Sequence, residues 1–255
     1  MNLGLEGRRA LITGGSKGIG LATARGFAAE GVDLCLVARD AAALADAAKS
    51  LRASVETEVV TLAADLSEAS ERERVTQTFP DVDVVVNNAG SIPLGSIDQV
   101  DEEAWRQAWD LKVYGYIDLT RRYLEVMQAR RRGVIVNVIG ASGERLLDSY
   151  VAGSTGNTAL MAFTRIVGSK STAFGVRVVG VNPGPVASQR GCHLAAVNDD
   201  AGNVPTRSFR IPFGRLATPD EIATSVVFLS SDRSSYTSGT ILTIDGGITY
   251  QSELA

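Results

Sequence analysis

The chain is poor in the residues from which several kinds of site are built. One histidine and two cysteines in 255 residues are too few for a disulfide framework, and they leave a metal cluster little to work with. Cys35 falls inside an apolar run, and Cys192 sits in a loop beside His193. No stretch approaches the about 18 consecutive apolar residues of a membrane span, and the N-terminus has no apolar signal core. We therefore expect a soluble, cytoplasmic protein. Basic residues do not dominate either. The net charge is −4 and the Lys and Arg residues are dispersed, which gives no electrostatic footprint for nucleic acid. Their one run, Arg130-Arg-Arg132, reads as the basic C-terminal cap of a helix.

Apolar residues make up 45% of the chain, and their spacing alternates between two patterns. Near-continuous runs at 9–12, 32–38, 59–62, 82–86, 133–138, 176–181 and 240–244 have strand length. Between them, 21–30, 41–51, 67–79, 101–109, 112–128, 149–172 and 219–229 read as helices. Asp40 and Ser67 stand where helix caps are needed. Apolar strands that are each followed by a helix imply a parallel sheet covered on both faces. The expected fold is α/β: a single Rossmann-type domain over 1–255, doubly wound on about seven strands. The stretch 189–214 is too long for an ordinary connection, so it is a substrate lid or a plain surface loop.

In such a sheet the ligand lies along the carboxyl ends of the strands. The first strand ends in Thr13-Gly-Gly-Ser-Lys-Gly-Ile-Gly20 and runs into a helix, so backbone N–H groups and the helix dipole there favour a phosphate. Asp65-Leu66 follows the third strand, Asn87-Asn-Ala-Gly90 ends the fourth and Asn182-Pro-Gly-Pro-Val186 ends the sixth. Ile244-Asp-Gly-Gly247 stands near the C-terminus. These motifs, in this order, resemble the short-chain dehydrogenase/reductase family from the first strand to the last. The resemblance implies a nicotinamide dinucleotide held by Gly14, Ser16, Gly18, Ile19 and Gly20. It places Asp65 and Leu66 by the adenine and Asn88, Ala89 and Gly90 on the adenosine side. Pro183, Gly184, Val186 and Ser188 fall around the nicotinamide and its phosphate. The end of the second strand, where NAD enzymes carry an acid for the ribose hydroxyls, reads Ala38-Arg39. With Lys17 as a second cation, this selects the 2′-phosphate of NADP(H).

The family's chemistry is carried by a Ser after the fifth strand, a Tyr with a Lys four residues on, and an Asn on the preceding helix. Asn157-Thr-Ala-Leu-Met-Ala-Phe-Thr-Arg165 resembles the family's run that begins at the lysine, which puts Asn157 in the Lys place and Gly153 in the Tyr place. Val134-Ile-Val-Asn-Val-Ile-Gly140 puts Gly140 in the Ser place, and Leu111-Lys-Val-Tyr-Gly115 puts Lys112 in the Asn place. We therefore expect the Ser-Tyr-Lys triad to be lacking. Lys112 and Asn157 read as an exchange, with Lys112 giving the positive field and Asn157 the ribose hydrogen bonds; otherwise Lys112 merely snorkels to the surface. Tyr150 lies one helical turn before Gly153 and either leans over the space left there or packs against the loop at 189–214. Ser142 and His193 are further proton donors by position.

The expected function is an NADP(H)-dependent oxidoreductase acting on a carbonyl/alcohol or quinone-like small molecule through a non-standard site. The alternative is an NADP(H)-binding protein without turnover, a sensor or a partner subunit. By resemblance the chain forms a homodimer or homotetramer. NADPH is expected to bind more tightly than NADH in a direct titration; equal affinity would contradict the assignment of Arg39 and Lys17.

Overall fold

The computed structural model describes residues 2–54, 56–187 and 211–251. Its strands are β1 (Arg9–Thr13), β2 (Asp33–Ala38), β3 (Val59–Ala63), β4 (Val84–Asn87), β5 (Gly133–Val138), β6 (Val176–Pro183) and β7 (Ile241–Ile244). They form one sheet in the order β3-β2-β1-β4-β5-β6-β7. Every pair is parallel, with Thr13 opposite Val37 and Asn87 opposite Asn137. The helices are α1 (Gly18–Ala29), α2 (Ala41–Arg52), α3 (Ala69–Thr78), α4 (Glu102–Trp109), α5 (Gly115–Ala129), α6 (Val151–Ser171) and α7 (Pro219–Ser230).

Successive residues of a strand face opposite sides of a sheet, and the buried side chains divide accordingly. Ala10, Ile12, Leu34 and Leu36 pack with Phe27 of α1, Leu44 of α2 and Ile222 of α7. Leu11, Cys35, Val85 and Ile135 pack on the other side with Val75 of α3 and Leu119 and Tyr123 of α5. Burial on both faces is the reason these strands read as continuous apolar runs rather than alternating ones. Among the described residues, no helix is long and apolar enough to cross a membrane.

Of the expected caps, one holds and two do not. Asp40 accepts the Ala43 N–H at 3.0 Å and opens α2 as expected. Ser67, expected to open the next helix, does not: α3 starts after Glu68. The Ser67 hydroxyl instead donates to Asp65 Oδ1 at 2.7 Å, a shorter-range partner that wins over the helix N-terminus. The arginine run follows the end of α5, but its guanidiniums bind neighbouring segments rather than the last carbonyls of that helix. Arg130 donates to the Val82 carbonyl, Arg131 to the Ala173 carbonyl and Arg132 to Asp83.

Arg177, buried on β6, closes the far end of α7. Its guanidinium donates to the carbonyls of Leu229 at 2.7 Å, Ser231 at 3.1 Å and Thr237 at 3.3 Å. Burial pushes its pKa down to about 10, assisted by Arg8 and opposed by Asp232, so it keeps its proton at neutrality. Arg177→Met is expected to leave these buried carbonyls unpaired and to lower the unfolding free energy by about 1–3 kcal/mol, read as a fall in the urea midpoint.

Candidate active site

The glycine turn closes tightly against the end of β4. A Cβ on Gly20 would collide with the Gly14 carbonyl, and one on Gly14 would stand 2.9 Å from Asn88 Nδ2. The Asn88 and Ala89 N–H groups donate to Thr13 Oγ1 at 2.8 and 3.0 Å, and Asn88 Nδ2 donates to the Thr13 carbonyl at 2.9 Å. α1 starts from Lys17, which is extended and makes no side-chain cap. A lysine has no acceptor to offer, so the first-turn N–H groups of Gly18, Ile19 and Gly20 are left to an anion. Ser16 lies within this turn, half-buried.

Arg39 follows β2 with its side chain 64% exposed, 3.9 Å from Asp65 Oδ2. An acid therefore does stand here, supplied by the end of β3 rather than β2. Burial works to raise the Asp65 carboxyl, but hydrogen bonds from Ser67 and the charge of Arg39 outweigh it and hold the pKa below the ordinary range. Arg72 fixes the same segment: it donates to the carbonyls of Leu66 and Ser67, each at 2.8 Å, and pairs with Asp118 at 3.0 Å. Leu66 itself points into the core.

Beyond the end of β5, two of the predicted residues, Asn157 and Ser142, come together. Asn157 is 3% exposed; its Nδ2 donates to Ser142 Oγ at 2.8 Å. Its buried Oδ1 finds no hydrogen-bond partner among the described residues. A buried acceptor without a donor is costly, and a ribose hydroxyl would relieve it. With the glycine cradle and the uncapped α1, this makes the residues present a fit for a nicotinamide dinucleotide.

Lys112 does not snorkel. It is 8% exposed and lies in a π-helical turn, Asp110–Tyr114, that joins α4 to α5. Such turns are frequent at functional sites. Its Nζ donates to the carbonyls of Val138 at 2.8 Å and Ile139 at 3.0 Å and to Tyr116 Oη at 3.2 Å. The Tyr150 ring fills the volume that a side chain at Gly153 would need, and it packs with Ile92, Val100 and Ala152. Gly140 has φ +154°, and a Cβ there would stand 2.8 Å from Asn157 Nδ2, so a serine at this place would be strained as well as crowded.

Pro183 ends β6, a Cβ on Gly184 would press on Asp245, and Val186 pairs with Ala217 while its side chain joins the core. Ser188, Cys192, His193 and most of the expected lid lie outside the described residues. The described end of that segment, Ile211 to Gly214, comes back against Gly246 and Gly247.

Two residues were missed in the sequence. Tyr116 is signalled by its spacing of four from Lys112. Glu144 has no local signal, because its partners are remote: Asn182 at 2.6 Å and Thr243 at 2.7 Å on Oε1, Tyr250 at 2.8 Å on Oε2. Beside it, Arg145 donates to the Ile248 carbonyl at 3.2 Å. Burial acts to raise the Glu144 carboxyl, but the bonds from Thr243, Tyr250 and Asn182, with the Arg165 charge, prevail and lower its pKa. The stabilisation is thus present above the ordinary glutamate range and lost as pH falls through the lowered value. Glu144→Gln is expected to flatten the loss of stability over the interval that lies below the ordinary glutamate range. Denaturant midpoints of variant and unsubstituted protein across that interval check this.

The comparisons with known proteins extend over nearly the whole chain. The family model described as enoyl-(acyl carrier protein) reductase matches residues 14–249. Galactitol 2-dehydrogenase (L-tagatose-forming) of Cereibacter sphaeroides is 34% identical over 250 residues, covering 96% of each chain. The structure of L-sorbose reductase from Gluconobacter frateurii, complexed with NADPH and L-sorbose, is 30% identical, covers 99% of this chain and 100% of its own, and superposes with a TM-score of 0.92. A short chain oxidoreductase from Pseudomonas aeruginosa PAO1, described as containing an atypical catalytic center, is 26% identical, covers 98% of this chain and 100% of its own, and has a TM-score of 0.89. Sheet order, glycine turn and full-length similarity lead to one conclusion: the chain belongs to the short-chain dehydrogenase/reductase family.

Proposed function

We propose that the protein is an NADP(H)-dependent oxidoreductase that interconverts a carbonyl or quinone-like group with its reduced form, through a rebuilt active site. The observation that carries this reading is the buried Asn157 carboxamide, tied to Ser142 and with an acceptor still to be satisfied, beside an intact glycine cradle. Gly14, Ser16, Gly18, Ile19 and Gly20 would hold the pyrophosphate, Asp65, Leu66 and Asn88 to Gly90 the adenosine half. Arg39 and Lys17 would take the 2′-phosphate, and Pro183, Gly184, Val186 and Ser188 would border the nicotinamide. When bound, the cofactor supplies or accepts the hydride. NADPH in the sorbose reductase complex supports the choice of cofactor, and the relative with an atypical catalytic center supports a site that departs from the usual one.

In this reading Ser142 donates a hydrogen bond to the substrate oxygen, oriented by Asn157 Nδ2. The Tyr150 phenol, whose ring takes the volume beside Gly153, gives or takes the proton there. The Lys112 ammonium supplies positive charge from beneath, where low solvent exposure strengthens its field. The packing of Tyr150 among Ile92, Val100 and Ala152 favours the second reading, a protein that binds NADP(H) without turnover.

Calorimetric binding of NADPH followed by NADPH oxidation against a panel of ketones, quinones and enones separates the two. Turnover of any member supports the enzyme, silence with binding intact supports the binding protein, and no binding removes both. The triple variant Tyr150→Ser, Gly153→Tyr, Asn157→Lys, which clears the ring before a tyrosine is installed, is expected to reduce ketones about 10²–10⁴-fold faster than Tyr150→Ser alone; a folded triple variant with no gain over that single one would contradict the register of α6.

A further inference from the structure

What holds the Lys112 ammonium at the end of β5 lies one turn along its own helix. Tyr116 Oη accepts from Lys112 Nζ at 3.2 Å and donates to the Val138 carbonyl at 3.0 Å, the same carbonyl that accepts Lys112 at 2.8 Å. Ammonium, phenol and carbonyl therefore close a triangle. The ammonium stands 4.9 Å from the centroid of the Tyr116 ring, at its hydroxyl edge. On the opposite side the lysine stem runs under Gly90, where a Cβ would stand 2.7 Å from Lys112 Cδ. A long, flexible side chain is thus held at its stem by a backbone that has no side chain and at its ammonium by the Tyr116 hydroxyl.

We propose that Tyr116 is a positioning residue, which fixes the Lys112 ammonium against the Val138 and Ile139 carbonyls and so sets the place from which its charge would act on the cofactor's nicotinamide half. This deepens the proposed function and rests on it. The Lys112-to-Tyr116 spacing is that of the family's tyrosine and lysine run backwards. At 1% exposure, however, the Tyr116 hydroxyl cannot meet a substrate, and its single proton is already given to Val138. Its effect is therefore exerted through Lys112. Tyr116→Phe keeps the ring and the packing and removes both hydrogen bonds of the hydroxyl.

The test is a double-mutant cycle on the full chain with Tyr116→Phe, Lys112→Met and the pair, titrated with NADPH and read by affinity and by the fluorescence of the bound nicotinamide. Tyr116→Phe is expected to weaken NADPH binding by about 3–10-fold and to change the bound fluorescence when Lys112 is present. In the Lys112→Met background it is expected to do neither. Equal effects in both backgrounds, or a lowered melting temperature with unchanged binding, overturn the inference and leave the role of Lys112 intact. An unaffected affinity in Lys112→Met overturns it together with that role, and absence of NADPH binding by the unsubstituted protein removes the proposed function itself. Should Lys112→Met fail to fold because the Ile139 carbonyl loses the ammonium, Lys112→Gln replaces it in the cycle.

Discussion

Parallel pairing brings the last carbonyls of all the strands to one edge of the sheet, and a buried carbonyl needs a donor. The carboxyl rim is built around that requirement. Thr13, Asn88 and Ala89 stitch β1 to β4. Asn87 Nδ2 donates to Asn137 Oδ1 at 2.9 Å, and Asn137 Nδ2 to Thr164 at 2.9 Å, which carries the chain of bonds across to α6. Lys112 serves the carbonyls at the end of β5. The chemistry-bearing side chains therefore stand on a rim already tied together, and a hydroxyl or amide held there loses little freedom when a ligand arrives.

That rim also bears on how the candidate site is packed. Gly153 leaves no cavity, because Tyr150 occupies the volume, and Gly140 leaves Asn157 room to reach Ser142. Each of these glycines is matched by a larger neighbour, so packing is kept.

The sheet was legible because its cause is local. Strands buried on two faces must be apolar throughout, and this shows in Val32 to Ala38 without knowledge of any neighbour. The Asp40 cap was legible for the same reason, its partner being three residues away. Ser67 misled because a competing acceptor, Asp65, sits two residues before it and the periodicity of a helix does not register such rivals. Lys112 could be placed by matching the motif around it, but its burial depends on carbonyls 26 and 27 residues on. Glu144 was out of reach altogether, since its partners stand on β6, on β7 and in the C-terminal segment.

The π-helical turn at Asp110–Tyr114 has a bearing on how this protein can vary. One extra residue in a helix shifts the phase of all later turns by about 100°. Trp109, before the turn, sends its indole N–H to the Ala152 carbonyl of α6 at 3.0 Å, whereas Tyr116 and Tyr123, after it, face the sheet. The inserted residue thus works as a phase coupling between two helices that must present different faces. Deleting one residue here would leave both helices intact and every side chain chemically unchanged, yet rotate one set of contacts out of register with the other. Variation in length at this point is a larger change to the molecule than almost any substitution in it.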